Sequence, residues 1–329
     1  MATADAEPNA EQPTDATLAL LDDDAGAATD GWTGQTDLGE IDYLAIGHVS
    51  VDLFERRYLL GGSAAYAALT ARKLGQRVGV LTSADFEPLI IDTLIGRDEM
   101  LTPETPIRVL RVPTQSTTCY QNEYDGNGRT QYLLGRAAEL APEHVPAEWK
   151  SAPVVHLAPL AQEIEPTLLD AFPGSMMVIT PQGWMRGWDE EGKVFPVRWA
   201  YADRALARAD LIIFSTDDVP VPSIIAEYAR KAKLMVVTEN RRGCLVYERG
   251  KPPWRSLAFK AAREQDPTGA GDVFASSFAT HYHRTGNPRI SADFANATAS
   301  FALEKRAWNG IPTPEAIADR LKRGKRRGA

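Results

Sequence analysis

Cysteine is nearly missing: two residues in 329, Cys119 and Cys244, far apart in the chain. That excludes a disulfide-stapled scaffold and points to free thiols in a reducing cytoplasm. No apolar run approaches the roughly 18 residues of a membrane-spanning helix. Basic residues are outnumbered, 36 Lys and Arg against 44 Asp and Glu for a net charge of −8, which argues against a nucleic-acid surface. Five histidines (48, 144, 156, 281 and 283) show no metal-ligand spacing. His281 and His283, two apart in a helical stretch, do not share a face, and His156, behind Val154 and Val155, reads as a core residue. There is no Gly-x-Ser-x-Gly elbow and no Walker-type loop. The N-terminus lacks a basic-then-apolar leader pattern, so a cytoplasmic location is expected.

What is there describes a globular chain, 44% hydrophobic and 24% charged, long enough for one large core. Residues 1–38 depart from this. They are rich in Ala, Asp, Glu, Thr, Gly and Pro, with one apolar patch at Leu18–Leu21, and read as a disordered acidic tail; a short docking helix at Thr17–Leu21 is the alternative. Residues 322–329 form a basic C-terminal tail, expected to fray. Between them, residues 39–321 alternate short apolar runs with helical windows. Tyr43–Val49, Arg77–Thr82, Val154–Leu157, Met176–Ile179, Leu211–Phe214 and Leu234–Thr238 read as buried strands. Ala64–Leu74, Ala200–Ala209 and Ser223–Lys233 read as helices. Such alternation predicts an α/β fold, a mostly parallel sheet covered on both faces. Thr117–Tyr124 and Arg129–Leu134, joined by Asp125-Gly-Asn-Gly128, form a hairpin signal. With residues 54–60 and the rest of 108–136 they could build a small sheet projecting from the body, or the hairpin could be a plain surface feature.

The most informative stretch is Asp266-Pro-Thr-Gly-Ala-Gly-Asp272, running into the apolar, helix-compatible segment Val273–Tyr282. A glycine turn opening a helix lets amide groups converge on an anion. An acid beside such a nest would repel a phosphate unless it had another task, and accepting the proton of an attacking hydroxyl is that task. Four residues alone would also fit an ordinary strand-to-helix turn with Asp272 near the N-cap.

A second glycine motif, Gly61-Gly62-Ser63-Ala64-Ala65-Tyr66, leads into a helix ending at Leu74-Gly75. In this order the two motifs resemble those of the ribokinase-like (PfkB) carbohydrate kinases, over roughly residues 41–314. The resemblance implies a three-layer α/β/α sandwich with a β lid that closes over the substrate and can supply a homodimer contact. It implies an ATP- and Mg²⁺-dependent kinase that phosphorylates a hydroxyl of a small sugar or polyol. Asp272 would then be the base, and Gly269, Ala270 and Gly271 the anion hole. Asp266 and Thr268 match positions that hold a monovalent cation such as K⁺ in many relatives. Asp52, with Gly61 and Gly62, would meet the acceptor; an ionised carboxylate offers only acceptors and suits a polyol.

Three departures bear on the substrate. Tyr66 stands where many sugar kinases carry Asn. Together with Gln182 and Arg186 in Thr180-Pro-Gln-Gly-Trp-Met-Arg186, it makes the chain more similar to the inositol-kinase subgroup, though a surface turn at 181–183 reads equally well. Ser215-Thr-Asp-Asp218 replaces an Asn-x-x-Glu stretch that organises magnesium through water; a helix cap is the competing role. Thr238-Glu-Asn-Arg-Arg-Gly243 keeps only the outer residues of the nucleotide segment. Asn309 and Gly310 match the last nucleotide-side loop, where Trp308 flanks adenine or packs in the core. A myo-inositol-like cyclitol is the favoured acceptor. A nucleoside kinase, or a non-catalytic sugar- or nucleotide-binding regulator, is the alternative.

Overall fold

The computed structural model describes residues 38–54, 57–85, 107–125 and 128–328. The acidic stretch 1–37 with its Leu18–Leu21 patch lies outside the described residues, as do residues 126 and 127 of the expected hairpin turn. In chain order the strands are β1 (Tyr43–Ile46), β2 (Ser50–Phe54), β3 (Arg57–Gly61), β4 (Val78–Ser83), β5 (Arg108–Val112), β6 (Thr118–Asp125), β7 (Gly128–Gly135) and β8 (Val154–Leu157). There follow β9 (Met176–Ile179), β10 (Arg186–Trp188), β11 (Val194–Pro196), β12 (Leu211–Ser215), β13 (Leu234–Thr238), β14 (Cys244–Glu248) and β15 (Trp254–Ser256). The helices are α1 (Ser63–Lys73), α2 (Ala202–Arg208), α3 (Ser223–Lys231), α4 (Ala270–Thr285), α5 (Pro288–Ala302) and α6 (Pro314–Arg323).

The central sheet has nine strands in the order β15-β14-β13-β12-β9-β8-β1-β4-β5. It is parallel from β13 to β5 and antiparallel only at β14 and β15. The expected buried strands all form, because an apolar run with both faces covered has no reason to alternate with polar residues. The two faces can be told apart along β1. Leu44 and Ile46 join the large cluster with Trp149, Phe172, Leu206 and Tyr228, whereas Tyr43 points the other way, under α4. Cys119 and Cys244 are free, as expected.

A second sheet, β3-β2-β6-β7, stands off the body as the lid. One expected part of it belongs elsewhere. Arg108–Val112 pairs in parallel with β4 in the central sheet. Val109 and Val112 are buried there, so burial on the body decided the placement and the lid portion begins at Thr118. An unanticipated hairpin, β10–β11, is tied to the lid: Tyr132 bridges Lys193 and the Leu133 amide donates to the Gly192 carbonyl at 2.8 Å.

Both ends of the body also differ from expectation. Leu38, assigned to the tail, packs on the main core, and its carbonyl accepts the Trp149 Nε1 proton at 3.2 Å. The basic C-terminal tail is docked. Arg326 bridges Phe259, pairs with Asp293 at 2.8 Å and donates to the Leu257 carbonyl at 2.8 Å; Arg327 pairs with Glu264. The run reads as solvated only when its acidic partners, distant in sequence, are not seen.

Candidate active site

The carboxyl ends of β9, β12 and β13 open onto a cleft of about 750 Å³, roofed by the lid and the β10–β11 hairpin. Such a crevice is where open parallel sheets bind ligands. Its floor is the glycine turn. Gly269, at φ 74°, caps α4, and a Cβ there would come within 2.2 Å of the Tyr66 ring. Both the left-handed backbone and the close approach therefore demand glycine. The opening amides of a helix have no partners within it, and the macrodipole adds positive character at that end. Ala270 is the exception: its amide donates to the Pro267 carbonyl at 3.2 Å, and it does not line the cleft.

Asp272 lies in the first turn of α4, at the cleft floor. Burial pushes its carboxyl up to about 6; a hydrogen bond from Ser63 and the positive charge of Arg186 oppose this, and Asp218 and Asp52 reinforce it. Such a group is ionised at neutral pH yet basic enough to accept a proton. Asp52, on β2, reaches the same cleft from the lid side. In the β2 ladder it stands opposite Tyr120 of β6. Gly62, at φ 93°, packs so closely that a Cβ would meet the His48 carbonyl at 2.4 Å. Gly61 sits behind the wall, against Ser50 and Asp52. Tyr66 is only 3% exposed and packs with Val273, Ala302, Ile311 and Trp308. Its ring packs against the glycine turn and still lines the cleft.

On the opposite wall, Gln182 lies in a short turn after β9 and donates to Asp218 Oδ1 at 2.9 Å. Asp218 Oδ2 accepts the Ser215 amide at 2.7 Å, and Ser215 Oγ accepts the Asp217 amide at 3.2 Å. This is a reciprocal capping box, so Ser215 and Asp218 fill the cap role and still line the cleft. Arg186 stands 5.5 Å from the Tyr120 ring centroid. Thr238 and Thr268 line the cleft; Gly243, Asp266, Asn309 and Gly310 do not. Asp266 ties two loops together, its oxygens accepting the Thr268 amide at 2.9 Å and the Ala307 amide at 3.2 Å.

Sequence reasoning missed several residues here. Asp217, held by Asn240 Nδ2 at 3.1 Å, lies inside the segment Ser215–Asp218, where the motif points only to the two end residues. Lys193 and Phe195 reach the rim because β10–β11 pairs with the lid, which no local pattern announces. Glu163, fully buried, accepts the amides of His48 at 2.8 Å and Ala161 at 2.7 Å. It thereby fixes the turn from which the lid leaves the body.

The described residues contain no group of three or more His, Cys, Asp or Glu poised to hold a metal. Asp217 and Asp218 stand side by side at the cleft wall, and one or two carboxylates beside phosphates and water are what a Mg²⁺ ion takes from a protein.

The sequence profile of the pfkB family carbohydrate kinases matches residues 216–315. A cytidine kinase of Thermococcus kodakarensis is 27% identical over 261 residues, 75% of this chain and 90% of that protein. A pyrophosphate-dependent kinase in the ribokinase family, complexed with a pyrophosphate analog and myo-inositol, superposes with TM-score 0.64 at 19% identity, covering 79% of this chain and 94% of its own. Arabidopsis thaliana ribokinase, complexed with ribose and ATP, gives TM-score 0.66 at 17% identity over 87% of this chain and all of its own. No described helix is long and apolar enough to cross a membrane. The profile match over residues 216–315, the likeness to a cytidine kinase over 75% of the chain and the shared fold identify a ribokinase-like kinase with a pfkB carbohydrate-kinase match, a phosphotransferase acting on an alcohol group.

Proposed function

We propose that the protein transfers the γ-phosphate of ATP, with Mg²⁺, to a hydroxyl of an unphosphorylated small polyol, a myo-inositol-like cyclitol first. The observation that carries this is the sharing of one cleft by Asp52, Asp272 and the Gly269–Gly271 turn. Asp52 and Gln182 hold the acceptor ring by its hydroxyls, and Asp272 accepts the proton of the attacking one. The new O–P bond forms as the bond to the ADP leaving group breaks, with the transferring group against the amides of the turn. Magnesium, when bound, neutralises phosphate charge, and Asp217 and Asp218 are the residues that would face it. Among the described lining residues only Arg186 and Lys193 are cationic, which gives little to hold a second phosphate on the acceptor. A potassium requirement rests on the resemblance at Asp266 and Thr268 and is checked by assays with and without K⁺.

A nucleoside kinase is the second reading. It is favoured by the likeness to a cytidine kinase and by Phe195, 44% exposed at the rim, where a base could stack. A panel of cyclitols, free sugars, cytidine and fructose 6-phosphate, each with ATP and Mg²⁺, separates them. Turnover of cyclitols is the expected result. Turnover of cytidine alone moves the assignment to nucleosides, and turnover of fructose 6-phosphate alone overturns the unphosphorylated acceptor.

A further inference from the structure

Among the described residues the chain crosses between body and lid four times, and the crossings meet at one buried residue. The chain leaves the body through Val49 into β2 and returns from β3 at Gly62. It leaves again at Thr118 into β6 and returns from β7 through Ala137 and Ala138. In the lid ladder Ser50 pairs with Thr118 on one side and with Gly61 on the other. His48, fully buried, stands just before the first crossing. Its Nδ1 is 2.6 Å from Thr118 Oγ1, and its Nε2 is 2.8 Å from the Ala138 carbonyl oxygen. Its own carbonyl fills the space that a Cβ on Gly62 would need, 2.4 Å away, and its amide donates to Glu163 at 2.8 Å. The ring and backbone of one residue thus reach every root of the lid.

The direction of these bonds is fixed by their partners. A carbonyl oxygen only accepts, so His48 carries a proton on Nε2. Thr118 Oγ1 accepts the Ala137 amide at 3.0 Å. Among the described hydrogen bonds its single hydroxyl proton has one taker, Nδ1, which is therefore bare. The ring donates to the segment returning from β7 and accepts from the start of β6, with no polar atom left over. The junction is also tied to the body through β4. The Val49 amide donates to Thr82 Oγ1 at 2.8 Å, and the Ala138 amide to Ser83 Oγ at 3.2 Å. A buried network with every member satisfied holds one arrangement against others.

We infer that His48 is a positioning residue for the acceptor. It sets the angle at which the lid leaves the body, and Asp52, four residues further on in β2, is carried by that angle. His48 does not line the cleft, so it acts on the acceptor through Asp52. The inference rests on the kinase reading above for its effect on the acceptor, but not for the arrangement of the junction.

Two measurements test it. The first is nitrogen-15 NMR of the imidazole in the unliganded wild-type protein near neutral pH. The expected result is His48 protonated at Nε2 and bare at Nδ1. A ring protonated at Nδ1 alone, or at both nitrogens, would overturn the junction, whatever the enzyme phosphorylates. The second uses Thr118→Val, which keeps the shape of the side chain and removes the partner of Nδ1. It should raise the KM of whichever acceptor the panel identifies about fivefold, the loss of one hydrogen bond. The kcat and the ATP KM should change less than about twofold, and Thr118→Ser should restore the acceptor KM. On an Asp52→Ala background Thr118→Val should add less than about twofold, because the two act on one contact. An unchanged acceptor KM, an equal rise in the ATP KM, or the full fivefold loss on the Asp52→Ala background would overturn the inference. Should Thr118→Val fail to fold, His48→Gln, which keeps a donor for the Ala138 carbonyl, carries the same comparison. If the wild-type protein turns over no hydroxyl acceptor, the kinase reading fails, and with it the effect on the acceptor, while the NMR result still decides the junction.

Discussion

The two walls of the cleft treat their carboxylates differently. At the floor, half-buried Asp272 takes a hydrogen bond from Ser63, and desolvation raises its pKa. Across from it, Asp218 is engaged on both oxygens, by Gln182 and by the Ser215 amide, and Asp217 is held by Asn240. A buried carboxylate with few partners keeps capacity to accept a proton, whereas one already holding donors is fixed in place and suited to orienting charge. On the proposed kinase reading, the floor serves proton chemistry and the opposite wall positioning.

The sharpest test of that contrast is Asp272→Asn. It should lower kcat by roughly 10²–10⁴, the worth of a positioned base, with ATP binding by calorimetry and folding intact; unchanged turnover would remove Asp272 from the chemistry. Asp52→Ala should raise the acceptor KM about 10- to 100-fold, because it removes a charge-assisted contact of about 1.5–3 kcal/mol. A fall in kcat at constant KM would instead place Asp52 with the base. Asp218→Asn should be milder, about a tenfold rise in the Mg²⁺ concentration needed for half-maximal rate. An effect as large as that of Asp272→Asn would erase the distinction between the walls.

Titration gives a finer reading. Asp272 must be ionised to act, so kcat/KM should fall about tenfold per pH unit below about 6. Its folded pKa lies above its unfolded value, so folding favours the protonated form. That stabilisation is complete below about pH 4 and is lost as pH rises through about 6. Asp272→Asn should therefore melt a few degrees above wild type at pH 7–8, with the gap closing by pH 4. A gap that persists at pH 4 would put the effect on packing. The smallest effect is expected at the N-terminus. Deleting residues 1–37 should leave Tm and kcat nearly unchanged, while extending the deletion through Leu38 should lower Tm by removing a core contact.

The parts legible in the sequence were those encoded in continuous runs. The parallel strands, the two glycine motifs and Asp272 each announce themselves within about ten residues, because backbone geometry and burial are local demands. Arg108–Val112 was misplaced because a β-rich run does not say which sheet will take it. Lys193 and Phe195 went unseen because they reach the cleft through a pairing with the lid at Tyr132, some sixty residues away in the chain.

The docked C-terminus has a practical consequence. Lys325 and Arg327 pair with Lys260 and Ala258 through main-chain hydrogen bonds of 2.8 Å, and Arg327 grips Glu264, two residues before Asp266. The last residues of the chain thus clasp the segment that feeds the catalytic turn. An affinity tag or fusion partner joined after Arg327 would pull on that clasp and, through it, on the turn at Asp266.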